Sequence, residues 1–251
     1  MAIKPARKPA RQGVDMDTHM IGEFAGRVIH VRLVVDARAR RIGLRIDPLR
    51  REAVAISPSK RAAPQALAFA SERAHWIALQ LQRLPTPAPF APGAQIPYEG
   101  VPHELVWALG RGRAEFHAGS PPRLIVAAPD EGLFATRVAR FLKAQAKDAL
   151  TAAVERHSQA LGVHASRITI KDTRTRWGSC TADKALAFSW RVILAPPEVL
   201  DYLAAHEVAH LVEMNHSARF WALVERCRPD FRTQRDWLKR NGLALHAVGA
   251  G

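Results

Sequence analysis

No run of this 251-residue chain approaches the roughly 18 consecutive apolar residues that cross a bilayer, and no apolar signal core follows the first basic residues. Both absences argue against membrane insertion and secretion. Cysteine is nearly missing as well. Cys180 and Cys227 are too few for a disulfide framework, so the expected setting is cytoplasmic. No internal repeat is visible, and acids are scarce: 23 Asp and Glu face 37 Lys and Arg, a formal net charge of +14. The excess is uneven, with 14 Lys and Arg against 6 Asp and Glu in residues 1–61. Such a balance attracts polyanions and admits nucleic acid or a nucleotide as partner, although solvated surface arginines produce it equally.

Hydrophobic residues make up 48% of the chain, enough for a substantial core. The basic, proline-broken opening reads as a disordered tail over residues 1–17. VIHVRLVV (Val28–Val35), RIGLRI (Arg41–Ile46) and AVAI (Ala53–Ile56) carry the β-branched or alternating pattern of strands and suggest an antiparallel meander. A helix is expected from Pro64 to about Arg83, since Leu67, Ala70, Ala74, Ile77 and Leu81 recur at helical spacing. PTPAPFAPGAQIP (Pro85–Pro97) holds five prolines and cannot continue either regular structure, so it reads as the boundary between a β-rich region, 18–90, and a second domain, 91–251.

In the second part, short strands are expected at His103–Trp107, Ala114–His117 and Leu124–Val126, then a long helix from about Glu131 to Leu161. Strands at Ile168–Lys171 and Leu186–Ile193 enclose a Thr- and Arg-rich loop. Three helices close the chain, opened by Pro196-Pro197, Ser217 and Pro229-Asp230, the last ended by Gly242. Strands and a helix followed by a mixed half with a helical end make the class α+β.

Chemistry concentrates at His206, Glu207, His210 and His216. Two histidines four residues apart project from one helical face a turn apart and can reach one ion. Glu207 is turned away by about 100°, badly placed as a ligand but able to reach a water beside the metal. A chance His-Glu-x-x-His arises in roughly 2% of chains of this composition, so coincidence is a weak explanation. A site that keeps one position open needs a third protein ligand. His216 follows six residues later, which requires the helix to end and the chain to fold back, with Asn215 as the candidate left-handed residue. Glu213 is the rival third ligand, or a group that orients a histidine. The bland alternative is a helix whose histidines are simply buried and hydrogen-bonded. The remaining histidines lack ligand spacing.

Arg174, Arg176, Trp177, Gly178, Ser179 and Cys180 lie between two expected strands, where glycine permits close backbone approach and an arginine such as Arg176 can stabilise a developing oxyanion. Equally, Trp177 can plug the core while the arginines pair with Asp172 or Asp183. Cys180 as a fourth ligand would close the site and silence its chemistry, so it reads as a buried thiol. Tyr202, on the face of His206, floors the pocket or merely packs.

HEVAHLVEMNHSARFW (His206–Trp221), TRTRWGSC (Thr173–Cys180), FSWRVILAPPEVLDYLAAHE (Phe188–Glu207) and RPDFRTQRDWLK (Arg228–Lys239) resemble the YgjP-like metallopeptidases, relatives of the SprT-like and WLM zinc proteases. ARRIGLRI and HWIALQL fit that family's leading region, so the likeness runs from about Val28 to Leu245. The resemblance implies a zincin-like catalytic half behind a β-rich half, Zn2+ on His206, His210 and His216, Glu207 as the catalytic glutamate, and a peptide or protein substrate. Two other functions use the same residues. One is a metal-dependent nucleotide phosphohydrolase with Arg174, Arg176 and Arg191 on the phosphates; the other is a non-catalytic nucleic-acid-binding protein with structural zinc.

Overall fold

The computed structural model describes residues 14–48, 50–173 and 176–249. The chain divides into two compact units after Leu84. Arg174 lies outside the described residues, as does the tail up to residue 13.

In the first unit, β1 (Val14–Phe24), β2 (Arg27–Val35), β3 (Gly43–Asp47) and β4 (Glu52–Ser57) form a sheet in the order β1-β2-β4-β3. Residues 14–17, expected in the tail, thus have strand backbone. The sheet is not an antiparallel meander: β4 runs parallel to β2, with Val31 opposite Ala53, and β3 is pushed to the edge. Side-chain polarity accounts for the correction. Ala53, Val54 and Ala55 are fully buried, which only a strand covered on both faces achieves, whereas β3 carries the exposed Arg45. The expected single helix is two, α1 (Ala63–Ser71) and α2 (Ala74–Gln82). They part where Arg73 folds back, its guanidinium 3.7 Å from the Phe69 ring centre and donating to the Phe69 carbonyl. Ala63, Ala66, Ala70 and Ile77 then seal the core over Ile29, Val31 and Leu33.

The second unit opens with β5 (Gln95–Tyr98), β6 (Val101–Leu109), β7 (Ala114–His117) and β8 (Arg123–Ala128), a sheet ordered β5-β6-β8-β7. The proline-rich segment therefore ends in a strand. Pro97 is tolerated because β5 is an edge strand, where a missing N–H costs no ladder bond. Helix α3 (Phe134–Leu161) lays Phe134, Val138, Leu142, Ala146, Leu150 and Ala153 along one buried face and ends at left-handed Gly162. Truncating a fully buried member such as Leu150 to alanine should cost about 2–5 kcal/mol.

A three-stranded sheet follows, β9 (Arg167–Lys171), β10 (Gly178–Cys180) and β11 (Ala185–Ser189), with β11 central. The loop expected between strands thus supplies an edge strand of its own, β10. The strand expected to reach Ile193 stops at Ser189, and Trp190–Leu194 forms a 3-10 turn whose five residues are all buried. An extended strand would have turned alternate residues to opposite faces. Helices α4 (Pro197–Ala209), α5 (Ala218–Cys227) and α6 (Phe231–Ala247) complete the unit. Gly242 does not end α6. It sits mid-helix because the Trp177 indole lies against it, where a Cβ would come within 3.0 Å of Nε1. Among the described residues no helix is long and apolar enough to cross a membrane.

Candidate metal centre

Helix α4 starts at Pro197, where a residue without an N–H loses no helical bond. Val199, Leu203, Ala204, Ala205 and Val208 bury it on several sides, so it is a core helix carrying polar groups into the interior. His206 comes from its last turn and His210 caps its C-terminal end, with their ring centres 5.0 Å apart. His216 follows on the connection to α5, its Nε2 3.1 Å from Nε2 of His206. One ring nitrogen from each of the three lies within 4.8 Å of the others.

The reversal between His210 and His216 is not made by a left-handed residue. Asn215 keeps negative φ and turns the chain with its side chain, Oδ1 accepting from the Ser217 N–H (3.0 Å) and Nδ2 donating to Glu213 Oε1 (2.8 Å). An amide cap achieves the turn without Cβ strain. Ser217 Oγ then caps α5 by accepting from the Phe220 N–H, which fixes the helix that faces the triad. The rival Glu213 carboxylate is taken by Asn215. Its backbone carbonyl instead lies 3.0 Å from His210 Nδ1; that nitrogen donates, leaving Nε2 with its lone pair.

Aromatic rings wall the triad, a role the sequence pattern did not isolate. Phe220, fully buried, stacks on His210 at 4.4 Å and sets its edge to His206 and His216 at 4.9 and 4.7 Å. Trp221 stands 5.8 Å from both His206 and His216. The available signal was their place four and five residues after His216, at the start of a capped helix. Tyr202 is T-shaped to His206 at 5.9 Å and buried, and burial pushes its hydroxyl up to about 12, so it remains a phenol.

This enclosure sets the protonation. Burial, reinforced by the neighbouring imidazoles, lowers His206 to about 3, and burial also lowers His210. Both are neutral at pH 7, the form in which imidazole donates to a metal. Nδ1 of His206 is buried with no hydrogen-bond partner among the described residues. Glu207 is 4% exposed, its Oε2 likewise lacks a partner among the described residues, and burial pushes its carboxyl up to about 8. Strand β10 presses against it: a Cβ on Gly178 would overlap the Glu207 carboxylate. The close approach read from the sequence thus has a definite target.

The rest of the loop is divided. Trp177 packs as a core plug, stacked on His246 at 4.2 Å. Arg176 is exposed, its carbonyl accepting from Thr173 Oγ1. Arg191 is 4% exposed and bound to the Asp172 carboxylate and the Val248 carbonyl, which removes it from any phosphate-holding role. Cys180 is a half-buried thiol raised to about 11 by burial, then by Glu207 and Asp183.

A family model described as YgjP-like, metallopeptidase domain matches residues 40–241. The chain belongs to this family. That match spans both units, from just before β3 to α6, and contains all three histidines. Among curated proteins no match is found. Among solved structures, the YgjP-like chain is similar to the metallopeptidase zymogen abylysin of Pyrococcus abyssi, at 20% identity and a TM-score of 0.34 over 37% of this chain and 93% of that one.

Proposed function

We propose that this member of the family is a zinc peptidase in which His206, His210 and His216 hold the ion and Glu207 is the general base. The observation that carries the reading is the convergence of three imidazole nitrogens, with the residue after His206 bearing a buried carboxylate whose Oε2 has no partner among the described residues. Zinc at about 2.0–2.1 Å from each nitrogen in tetrahedral geometry sets neighbouring nitrogens about 3.3 Å apart, close to the 3.1 Å between His206 and His216. Three imidazole ligands favour zinc over the oxygen-seeking Mg2+. When bound, zinc polarises a carbonyl and lowers the pKa of water toward ~7.

The protein's own groups handle the proton. Burial alone pushes Glu207 up to about 8, and a zinc ion nearby would favour its carboxylate, the form that takes a proton from the attacking water and returns it to the leaving nitrogen. Gly178 leaves room for that carboxylate, and Phe220 packs against all three rings while His216 stays open to solvent. The Arg191–Asp172 pairing weakens the phosphohydrolase alternative, which counted on Arg191.

Elemental analysis of wild type and His216→Ala, with peptide hydrolysis assayed beside Glu207→Gln, tests the reading. The expected result is about one zinc per chain, lost with His216, and cleavage lost with Glu207 while zinc stays. Retention of zinc by His216→Ala would move the third ligand elsewhere, and pyrophosphate release without peptide cleavage would overturn the peptidase assignment.

A further inference from the structure

Many arginines of this chain have a carboxylate partner, among them Arg32, Arg73, Arg156, Arg191 and Arg228. Three that gather on one cavity of the second unit have none among the described residues. This cavity, of about 430 Å³, lies where α3 crosses the β7–β8 edge of the four-stranded sheet. Ala114, Val126 and Phe141 supply apolar lining, with Val126 at 1% exposure, while Arg113, Arg137 and Arg140 bring the charge. Its size falls within the range of about 300–1,000 Å³ of small-ligand sites.

The arginines are not equivalent. Nη1 of Arg137 donates to the Ala127 carbonyl at 2.7 Å and to the Gly112 carbonyl at 3.4 Å. Its guanidinium is thereby fixed at the wall with further donors to spare, while Arg113 and Arg140 are exposed. Three like charges around one apolar hollow repel one another, and an anion relieves that repulsion. Guanidinium forks match phosphate oxygens in pairs, and a triple set suits a multiply charged group better than a single carboxylate. The apolar side has a direction too. The Phe141 ring lies 5.3 Å from Phe116, which is 36% exposed and 4.2 Å from Tyr98, so aromatic surface continues outward from the cavity along β7.

We infer that this cavity binds a nucleoside phosphate, with the phosphate on Arg113, Arg137 and Arg140 and the base against Phe141 and Phe116. Bases stack on aromatic rings while cations hold the backbone, whether the nucleotide is free or one unit of a single strand. The site is separate from the metal centre. Arg140 and His157 are 17 residues apart on α3, about 25 Å, and it is His157 that contacts α4 through Asp201.

The test uses the full chain, titrated at low salt with ATP by calorimetry and with a fluorescent short oligothymidylate by anisotropy. Wild type should bind at least one of them saturably, with inorganic pyrophosphate competing. Arg113→Gln/Arg140→Gln, which leaves the wall bonds of Arg137 in place, should weaken binding about tenfold or more. Phe141→Leu should reduce the affinity for the nucleotide toward that for pyrophosphate. Glu207→Gln should bind like wild type, so failure of the peptidase reading leaves this one standing. Tighter binding of the oligonucleotide assigns the site to a strand, and tighter binding of ATP assigns it to a free nucleotide. No saturable binding of either probe, unchanged affinity in the double-arginine variant, or equal competition by a glutamate-rich peptide would overturn the inference.

Discussion

Asp201 and Glu207 are two carboxylates on one helix, α4, and their surroundings drive them in opposite directions. Asp201 accepts from Arg156 (2.9 Å) and His157 (3.0 Å) on one oxygen and from Arg228 (2.9 Å) on the other. Burial opposes its ionisation, but these partners win and hold it down to about 2. Glu207 has the burial without such partners among the described residues and is pushed up to about 8. Under two turns of helix separate a carboxylate that ties elements together from one whose pKa is set by burial alone. Solvation alone does not distinguish them; pairing does.

The widest separation should come from exchanging each acid for its amide. Glu207→Gln should lower kcat/KM for peptide hydrolysis by about 10²–10⁴-fold, the range of general-base catalysis, with zinc content unchanged. In the metal-free protein its effect on stability has the opposite sign. A carboxyl whose pKa rises on folding makes stability fall as pH climbs from its unfolded value toward about 8. The metal-free amide variant should therefore melt higher than metal-free wild type at pH 7.5, and equal melting temperatures would show that Glu207 has found a partner.

Asp201→Asn should leave the chemistry largely intact and cost about 3 kcal/mol of stability, read from denaturant midpoints, because it strands buried His157. The network also sets a pH window. Depressed Asp201 contributes stability that is present above about 4 and lost as pH falls through about 2. Burial works against charged His157, but its bonds to Asp201 and Cys227 outweigh it and raise its pKa to about 9. Its contribution is complete below about 6.5 and lost as pH rises through about 9. Melting temperature should decline between those values in wild type and much less in Asp201→Asn.

This contrast also marks what could be read from the sequence. The histidine spacing carries its own geometry, since residues four apart on a helix must share a face, and the triad assembles from it. Helix starts at Pro197 and Ser217 were equally local matters of a missing N–H and a capping hydroxyl. Partners from distant segments were not legible. Nothing in the spacing of Arg156, His157, Asp201 and Arg228 shows that they meet, nor that β4 would slip between β2 and β3. Gly242 has the local signature of a helix end, yet Trp177 from another element decides its role. The same holds for Asn215, whose side chain does the work expected of its backbone.

Gly178→Ala tests how closely the poised carboxylate is confined. A Cβ there would overlap the Glu207 carboxylate, so either β10 or Glu207 must shift. Expected is a drop of about 10–100-fold in kcat with zinc retained, since displacements on the order of 1 Å already cost about that much. Unchanged kcat would mean that Glu207 does not act from this position.

Arg176→Ala should give the smallest effect, and its size decides which side of the contrast the loop belongs to. A fixed charge is worth most to a developing oxyanion in a dry site, where losing one donor costs about 10²–10³ in kcat. Arg176 is exposed, and its backbone carbonyl is anchored by Thr173. In water a charge at contact distance is worth about 1 kcal/mol, and salt screens it further. The expected result is therefore a change of less than about tenfold, falling on KM more than on kcat and shrinking as salt is added. A salt-insensitive loss of about 100-fold in kcat would place Arg176 beside Glu207 in the reacting site, with a side chain that closes over the substrate.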